Sequence, residues 1–133
     1  MKLINSILLY FVLSMLASCN NQDASSCKLF HVGTFNYVTD EPIQKSWVIT
    51  RDSEFQTESN TVSGVKVVWE ITWITDCDCR LKYLEGSTNP NLDPNSELRV
   101  KIIPTSDSTY ESESIPNYLP DETVFKAEMV KVK

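Results

Sequence analysis

Cys27, His31, Cys77 and Cys79 carry side chains of the types that bind metals or act as nucleophiles. Thiolates and an imidazole form a plausible zinc set. Ligand pairs in structural zinc sites usually stand two to four residues apart, whereas a single residue separates Cys77 from Cys79. We therefore predict no metal site and no cofactor.

A catalytic centre would have to use His31, because it is the single histidine of the chain. Its apolar neighbours favour a structural role, and no serine lies in a Gly-x-Ser-x-Gly turn. Glu70, Glu111 and Glu113 are expected on an outer face or on a polar strand rather than as a facing pair. We therefore expect that the protein is not an enzyme.

The amino-terminal residues resemble the signal of a bacterial lipoprotein. Lys2 precedes an apolar run over residues 3–16, which is too short to span a membrane as a helix. The run ends in Leu16-Ala17-Ser18-Cys19, which resembles the lipobox, a leucine and two small residues directly before a cysteine. The resemblance implies that residues 1–18 are a signal peptide and that the Cys19 thiol carries lipid.

This resemblance also implies that the protein is located in the cell envelope, where its lipid anchor would attach it to the membrane. Asn20, in the position where an aspartate would retain an enterobacterial lipoprotein in the inner membrane, favours the outer membrane. Residues 19–26 are polar and without apolar periodicity, so they predict a short, flexible, lipid-anchored tether. The alternative is a secreted protein whose signal peptide ends near a cysteine.

With Cys19 assigned to lipid, three of the four cysteines remain in a compartment where disulfides persist. Cys77 and Cys79 are two residues apart and cannot easily bridge each other, which makes Cys27 the natural partner. We assign the bond to Cys27 and Cys77, and Cys79 is then the spare thiol. Closing a loop of this length would contribute about 4 kcal/mol in the chain-entropy model.

The rest of the sequence must position these residues, and its pattern is that of short strands. From Gly33 onwards extended runs alternate with turn signals, and no window keeps apolar residues at helical spacing for three turns. We predict one all-β domain over residues 27–133, an antiparallel up-and-down meander that forms a small barrel or half-barrel. Its eight strands are expected at residues 33–39, 46–51, 54–59, 65–74, 80–85, 98–104, 109–114 and 123–132.

Alternation along these strands predicts one buried face. Residues 65–84 look like the central hairpin, and residues 109–114 are mostly polar on both faces, which is typical of an edge or rim strand. The aromatic side chains expected to surround an interior ligand are Phe35, Trp47, Trp69, Trp73 and Tyr83. The remaining predicted interior positions are Tyr37, Ile49, Ile71, Leu81, Val100, Ile102, Phe125, Ala127 and Met129.

The charge balance argues against one class of partner. The chain has 12 Lys and Arg against 18 Asp and Glu, a formal charge of -6, and no basic cluster on any predicted face. A nucleic-acid binder needs a basic surface to neutralise phosphates. We therefore expect neither DNA nor RNA as a partner.

Two resemblances to known families follow from these motifs. Gly33-Thr34-Phe35 is similar to the Gly-x-Trp signature of the first lipocalin strand, although the arginine that packs across that aromatic from a late strand has no counterpart in residues 123–133. The second resemblance is to short lipoproteins of Bacteroidetes, often labelled DNA topoisomerase IV, and it implies no established activity. It is carried by Cys27, Gly33-Thr34-Phe35, Arg51, Gln56, Glu58, Trp73 and Asp76-Cys77, with Cys79 in place of the family's tyrosine.

Two functions are compatible with this pattern. The barrel could hold a small apolar ligand between its aromatic residues, or it could have a filled core and act through its surface as a structural or interaction partner of an envelope protein. Arg51, Gln56 and Glu58 flank a tight turn, where they would line a mouth or brace a hairpin. Bracing is the interpretation that we favour.

Overall fold

The structure is a computed structural model, and it describes residues 24–86, 92–120 and 123–133. Cys19, the predicted signal peptide and the start of the tether lie outside the described residues. The described elements are α1 (Ala24–Cys27), a 3-10 helix (Lys28–Phe30), β1 (Gly33–Tyr37), α2 (Pro42–Lys45), β2 (Trp47–Arg51), β3 (Phe55–Asn60), β4 (Lys66–Trp73), β5 (Asp78–Gly86), β6 (Glu97–Pro104), β7 (Thr109–Pro116) and β8 (Phe125–Lys131). Within these ranges no helix is long and apolar enough to cross a membrane.

The strands close into one barrel, in which each pairs antiparallel with the next and β8 returns to β1. The predicted up-and-down meander is therefore confirmed, and it forms a closed barrel. The prediction that residues 109–114 form an edge strand is wrong, because β7 pairs with both β6 and β8. Because the barrel closes, β7 has a second partner strand, β8, which the polar sequence of β7 does not indicate.

Alternation of apolar and polar residues builds the interior. On β4, Val67, Trp69 and Ile71 are buried, whereas Lys66 and Glu70 are exposed. The predicted interior positions that prove buried are Phe35, Ile49, Trp69, Ile71, Leu81, Val100, Ile102 and Met129. The prediction that Phe125 lies in the interior is wrong. Its side chain is 52% exposed, because Phe125 is the first residue of β8 and lies at the end of the barrel.

Residues 24–30, which we call the plug, cover one end of the barrel. Phe30 is fully buried, and its ring centroid lies 4.8 Å from that of Tyr110 on β7. The predicted disulfide between Cys27 and Cys77 is present, and it fixes the plug to the turn between β4 and β5. Residues 24–26 were assigned to the tether, and the structure instead places them in one helical turn with Cys27.

His31 fastens the plug a second time. Its ring stacks on Trp73 with 3.6 Å between centroids, and its Nε2 donates a hydrogen bond to the Asp76 carbonyl oxygen at 2.7 Å. Both contacts lie next to the disulfide. The histidine therefore has the structural role that its apolar neighbours predict.

Gly33, at the start of β1, permits a close approach of the last strand. Its φ is 145°, and a Cβ atom there would lie 2.5 Å from the carbonyl oxygen of Lys133. A side chain at this position would push the carboxyl end of β8 away from β1. The glycine of the Gly-Thr-Phe motif is thus required by barrel closure.

Candidate functional site: a polar cavity inside the barrel

Arg51, the last residue of β2, points into the barrel and is 3% exposed. Its Nε donates to Gln56 Oε1 at 2.7 Å, its Nη1 to the Phe30 carbonyl oxygen at 3.0 Å and its Nη2 to the Tyr110 hydroxyl at 3.0 Å. A buried guanidinium is tolerated only when acceptors surround it in this way. One side chain therefore connects β2, β3, β7 and the plug.

The same guanidinium packs against two aromatic rings. Its Cζ lies 4.9 Å from the Phe35 ring centroid and 5.6 Å from that of Tyr110, within the range of cation–π attraction. No protein-family model matches the chain, and no curated protein or solved structure matches it.

Gln56 connects Arg51 to the carboxyl group of Glu58 through two hydrogen bonds. It pairs with Arg51 across β2 and β3, and while its Oε1 accepts from Arg51 its Nε2 donates to Glu58 Oε1 at 3.0 Å. The Arg51–Gln56 hydrogen bond joins the two strands of this hairpin, and the favoured interpretation, that Arg51, Gln56 and Glu58 brace it, stays a prediction. The side chains of Arg51 and Gln56 also face the interior, so they line a cavity as well.

The surroundings of Glu58 disfavour the ionised form of its carboxyl group. Burial raises the pKa of its carboxyl group, and the Gln56 hydrogen bond and the Arg51 charge lower it by less. Among the described residues no cation forms an ion pair with Glu58, and the two ion pairs found there, Lys28 with Asp76 and Lys126 with Glu113, lie on the surface. Glu58 is half-buried on β3, and the side chain of its hydrogen-bond partner, Gln56, is neutral.

A second polar group faces the same carboxylate. The indole N–H of Trp69 is buried and has no hydrogen-bond partner in the described chain. It lowers the pKa of Glu58, although no hydrogen bond of normal geometry joins the two groups. An unpaired buried donor costs about 1–3 kcal/mol, and the attraction to the Glu58 carboxyl group offsets part of that cost.

Arg51, Gln56 and Glu58 border a cavity of about 50 Å³ inside the barrel. A water molecule needs about 10–15 Å³ of such space, so the cavity has room for roughly three or four water molecules or non-hydrogen atoms. Its apolar lining is Ile49, Leu81, Leu98, Val100 and Met129. Its polar lining is Tyr37, Arg51, Gln56, Glu58, Tyr110, Ser112 and Ser114.

The aromatic residues predicted to surround a ligand lie elsewhere. Phe35 and Trp69 are buried, and Trp47, Trp73 and Tyr83 are half-buried, but none of the five lines this cavity. Trp69 and Tyr83 pack edge to face on β4 and β5. Their predicted role in holding a ligand stays a prediction.

The β7 side of the cavity was missed by the sequence reasoning. Tyr110, Ser112 and Ser114 alternate with Glu111 and Glu113, so a period of two places the hydroxyl-bearing residues on one face and the acids on the other. Tyr110 is fully buried. The alternation was therefore a usable signal, but it separates two polar classes rather than apolar from polar residues.

The remaining thiol offers no reactive group. Cys79 is free and fully buried, and burial raises its pKa to about 11. Cys27 and Cys77 are oxidised to the disulfide and have no thiolate to donate. In the described parts of the chain no group of three or more His, Cys, Asp or Glu residues is arranged to hold a metal.

Proposed function

We propose that the chain is a lipoprotein of the bacterial envelope, anchored through lipid on Cys19, whose barrel binds a small polar ligand in the interior cavity. The single observation that carries the binding proposal is the cavity of about 50 Å³ inside the barrel, whose lining includes Arg51, Gln56 and Glu58 and the hydroxyl-bearing residues of β7. A core that served packing alone would be more stable with apolar residues at these positions. A ligand with its own donors and acceptors could form hydrogen bonds with the polar side chains that line this cavity.

The cavity does not favour the apolar ligand that the aromatic residues suggested. Pockets for drug-sized apolar ligands have volumes of about 300–1,000 Å³. The interior space is about 50 Å³, and seven of its twelve lining residues are polar or charged. A small polar molecule, or one polar end of a larger molecule, is the ligand class that fits.

The tether would place the plug near the membrane. Five peptide units connect Cys19 to Ala24, where α1 begins, so a fully extended tether would span at most about 18 Å. Because the disulfide fixes Cys27 to the barrel, the plugged end would face the lipid and the opposite end would face away. The turns after β1 and β3 lie at that opposite end.

A second candidate function is interaction with another envelope protein. Two strongly exposed apolar side chains favour it, Ile43 on α2 at 76% and Val62 in the turn after β3 at 85%. Their segments are joined by the hydrogen bond from the Thr61 amide to the Ser46 carbonyl oxygen. Both residues belong to the end of the barrel that lies opposite the plug.

Native mass spectrometry of the protein purified from its own host tests the binding proposal. We expect a retained small molecule in the wild-type protein and its loss in Glu58→Gln. Retention of nothing by either protein, together with cross-linking to a partner that Ile43→Asp and Val62→Asp abolish, would favour the second candidate.

Fatty-acid labelling tests the anchor separately. Cells grown with an alkyne-bearing fatty acid should label the wild-type protein and Cys79→Ala but not Cys19→Ala. Cys79→Ala is the matched control, because it also removes a free thiol. Equal labelling of all three proteins would exclude the proposed anchor site.

A further inference from the structure

We propose that the plugged end of the barrel lies against an anionic lipid surface, which it contacts through a patch of lysine, leucine and valine side chains. The proposal rests on the lipid anchor of the proposed function and is independent of any ligand in the cavity. The patch, which we call the lysine patch, consists of Lys28, Leu29, Val32, Lys131, Val132 and Lys133.

The plug and the carboxyl end of β8 bring these residues together. Lys131 Nζ donates a hydrogen bond to the Leu29 carbonyl oxygen at 2.7 Å, across 102 residues of sequence. The Thr34 amide donates to the Lys133 carbonyl oxygen at 2.9 Å, and the Val132 amide donates to the Thr34 carbonyl oxygen at 2.8 Å. Two segments that are distant in sequence therefore form one surface.

The apolar members of the lysine patch are open to solvent. Leu29 is 44% exposed, Val32 53% and Val132 48%. Leu29 precedes Phe30, which is fully buried, so the plug has one apolar side chain directed inward and one directed outward. Exposed apolar side chains among cations are typical of surfaces that lie in the interfacial region of a bilayer.

The charge of the patch is opposite to that of the whole molecule. The chain has a formal charge of -6, yet residues 24–39 and 129–133 contain three lysines and no aspartate or glutamate. Lys28 forms an ion pair with Asp76 at 3.9 Å, and its side chain is still 64% exposed.

The plugged end has an acidic side as well as this basic one. Its acidic residues lie in the turns after β2, β4 and β6 and at the start of β5, and they are Asp52, Glu54, Asp76, Asp78 and Asp107. An anionic surface attracts the basic side and repels the acidic one. We therefore expect the barrel to lean towards the lipid on the side of β8 and the plug.

The proximity of the patch to the anchor selects lipid as the occupant. Five peptide units connect Cys19 to Ala24, so the tether spans at most about 18 Å. A short tether gives the patch an effective concentration of about millimolar at the headgroups. Each lysine near an anionic bilayer favours attachment about fivefold, so three lysines suffice to hold the docked orientation.

The opposite end of the barrel lacks this combination. Ile43 and Val62 are exposed there, but the connection that carries Ile43 has Asp40 and Glu41 against one cation, Lys45. That connection has no excess of positive charge, so an anionic surface does not attract it. We therefore expect the opposite end to face away from the lipid.

The test is acetylation of the lysines of the full lipidated protein in vesicles, followed for each residue by mass spectrometry. Lys28 and Lys133 should react at least about fivefold more slowly in vesicles of phosphatidylglycerol and phosphatidylcholine than in vesicles of phosphatidylcholine alone. Lys66, which is exposed at the start of β4 at the opposite end, is the internal control and should react equally in both. In about 1 M sodium chloride the difference should disappear, because the Debye length falls to about 3 Å.

Two matched variants complete the experiment. Val32→Glu places a negative charge inside the lysine patch and should abolish the protection of Lys28 and Lys133. Val62→Glu makes the same change at an exposed position of the opposite end and should leave the protection unchanged. A thermal melt of each variant shows that it is folded. Equal rates in the two kinds of vesicle, protection of Lys66 instead of Lys28, or protection that survives in folded Val32→Glu would overturn the proposal.

Failure of this proposal is distinguishable from failure of the proposed anchor. If fatty-acid labelling shows lipid on Cys19 but Lys28 reacts equally in the two kinds of vesicle, the anchor stands and the docking is wrong. If Cys19 carries no lipid and the protein does not bind anionic vesicles, both proposals fail. Binding to anionic vesicles without lipid on Cys19, with Lys28 protected, would support the lysine patch and contradict the anchor.

Discussion

Glu58 gives the barrel a dependence on pH that can be measured without any ligand. Burial raises the pKa of its carboxyl group in the folded state above that of the unfolded chain, which is about 4.3. The folded state therefore binds the proton more tightly, and stability is lost as the pH rises from the unfolded pKa to the folded one. Each pKa unit between the two values corresponds to about 1.4 kcal/mol.

Glu58→Gln should thus raise the melting temperature of the ligand-free protein at pH 7, because glutamine cannot ionise and can still accept from Gln56. The difference from the wild type should shrink towards pH 4, where both unfolded chains are largely uncharged at this position. Melting curves from pH 4 to 8 measure it, with Glu70→Gln as the control. A variant that is less stable than the wild type at pH 7 but not at pH 4 would contradict the assignment.

Single residues differed in how far the sequence could place them. Cys27 and Cys77 were paired correctly because cysteine count and strand position leave few choices. Arg51 could be placed at the end of β2, but its contact with Tyr110 joins strands that are not neighbours in the barrel. That contact depends on the tilt and stagger of the whole sheet, which a reading of local periodicity does not supply.

At the scale of elements, the plug is the part that its sequence least supports on its own. It comprises one helical turn and one 3-10 turn, too short to be stable in isolation. Its order depends on the disulfide, the His31 stack on Trp73 and the bond from Arg51 to the Phe30 carbonyl oxygen. Removing one of these should weaken the others.

The disulfide is the contact to remove. Cys27→Ser together with Cys77→Ser should lower the free energy of unfolding by about 4 kcal/mol, since the bond closes a loop of 50 residues. Urea denaturation measures this, and the wild-type protein in reductant should behave like the double variant. Cys79→Ala, which removes a sulfur but no crosslink, should cost about 1 kcal/mol. Identical curves with and without reductant would show that the plug needs no crosslink.

The strands themselves were predictable to within a few residues because a period of two distinguishes the faces of the sheet. β4 shows it most clearly, with Val67, Trp69 and Ile71 inside. The sequence does not predict α2, since a four-residue helix that begins at Pro42 is too short to show helical periodicity. β7 was taken for an edge because its inward face carries hydroxyl groups that the cavity, not the core, requires.

On the scale of the molecule, closure has an energetic consequence. A strand in a closed barrel is paired on both sides, so releasing any strand breaks two interfaces at once. The polar cavity lies between the two packed clusters, with Tyr110 and Met129 from one and Leu81 and Val100 from the other. Opening the cavity to bulk solvent therefore disrupts both clusters, and the described barrel should unfold as one cooperative unit.

Cys79 reports directly on that opening. It is fully buried on β5, where it pairs with Trp73 on β4 and Val100 on β6, and burial raises its pKa to about 11. A thiol-specific disulfide reagent at pH 8 should therefore label it only after unfolding. The labelling rate should depend on urea concentration in the same way as global unfolding does. Cys79→Ala should give no signal. A rate independent of urea below the transition would instead reveal local opening of β5, and the barrel would then consist of at least two units of different stability.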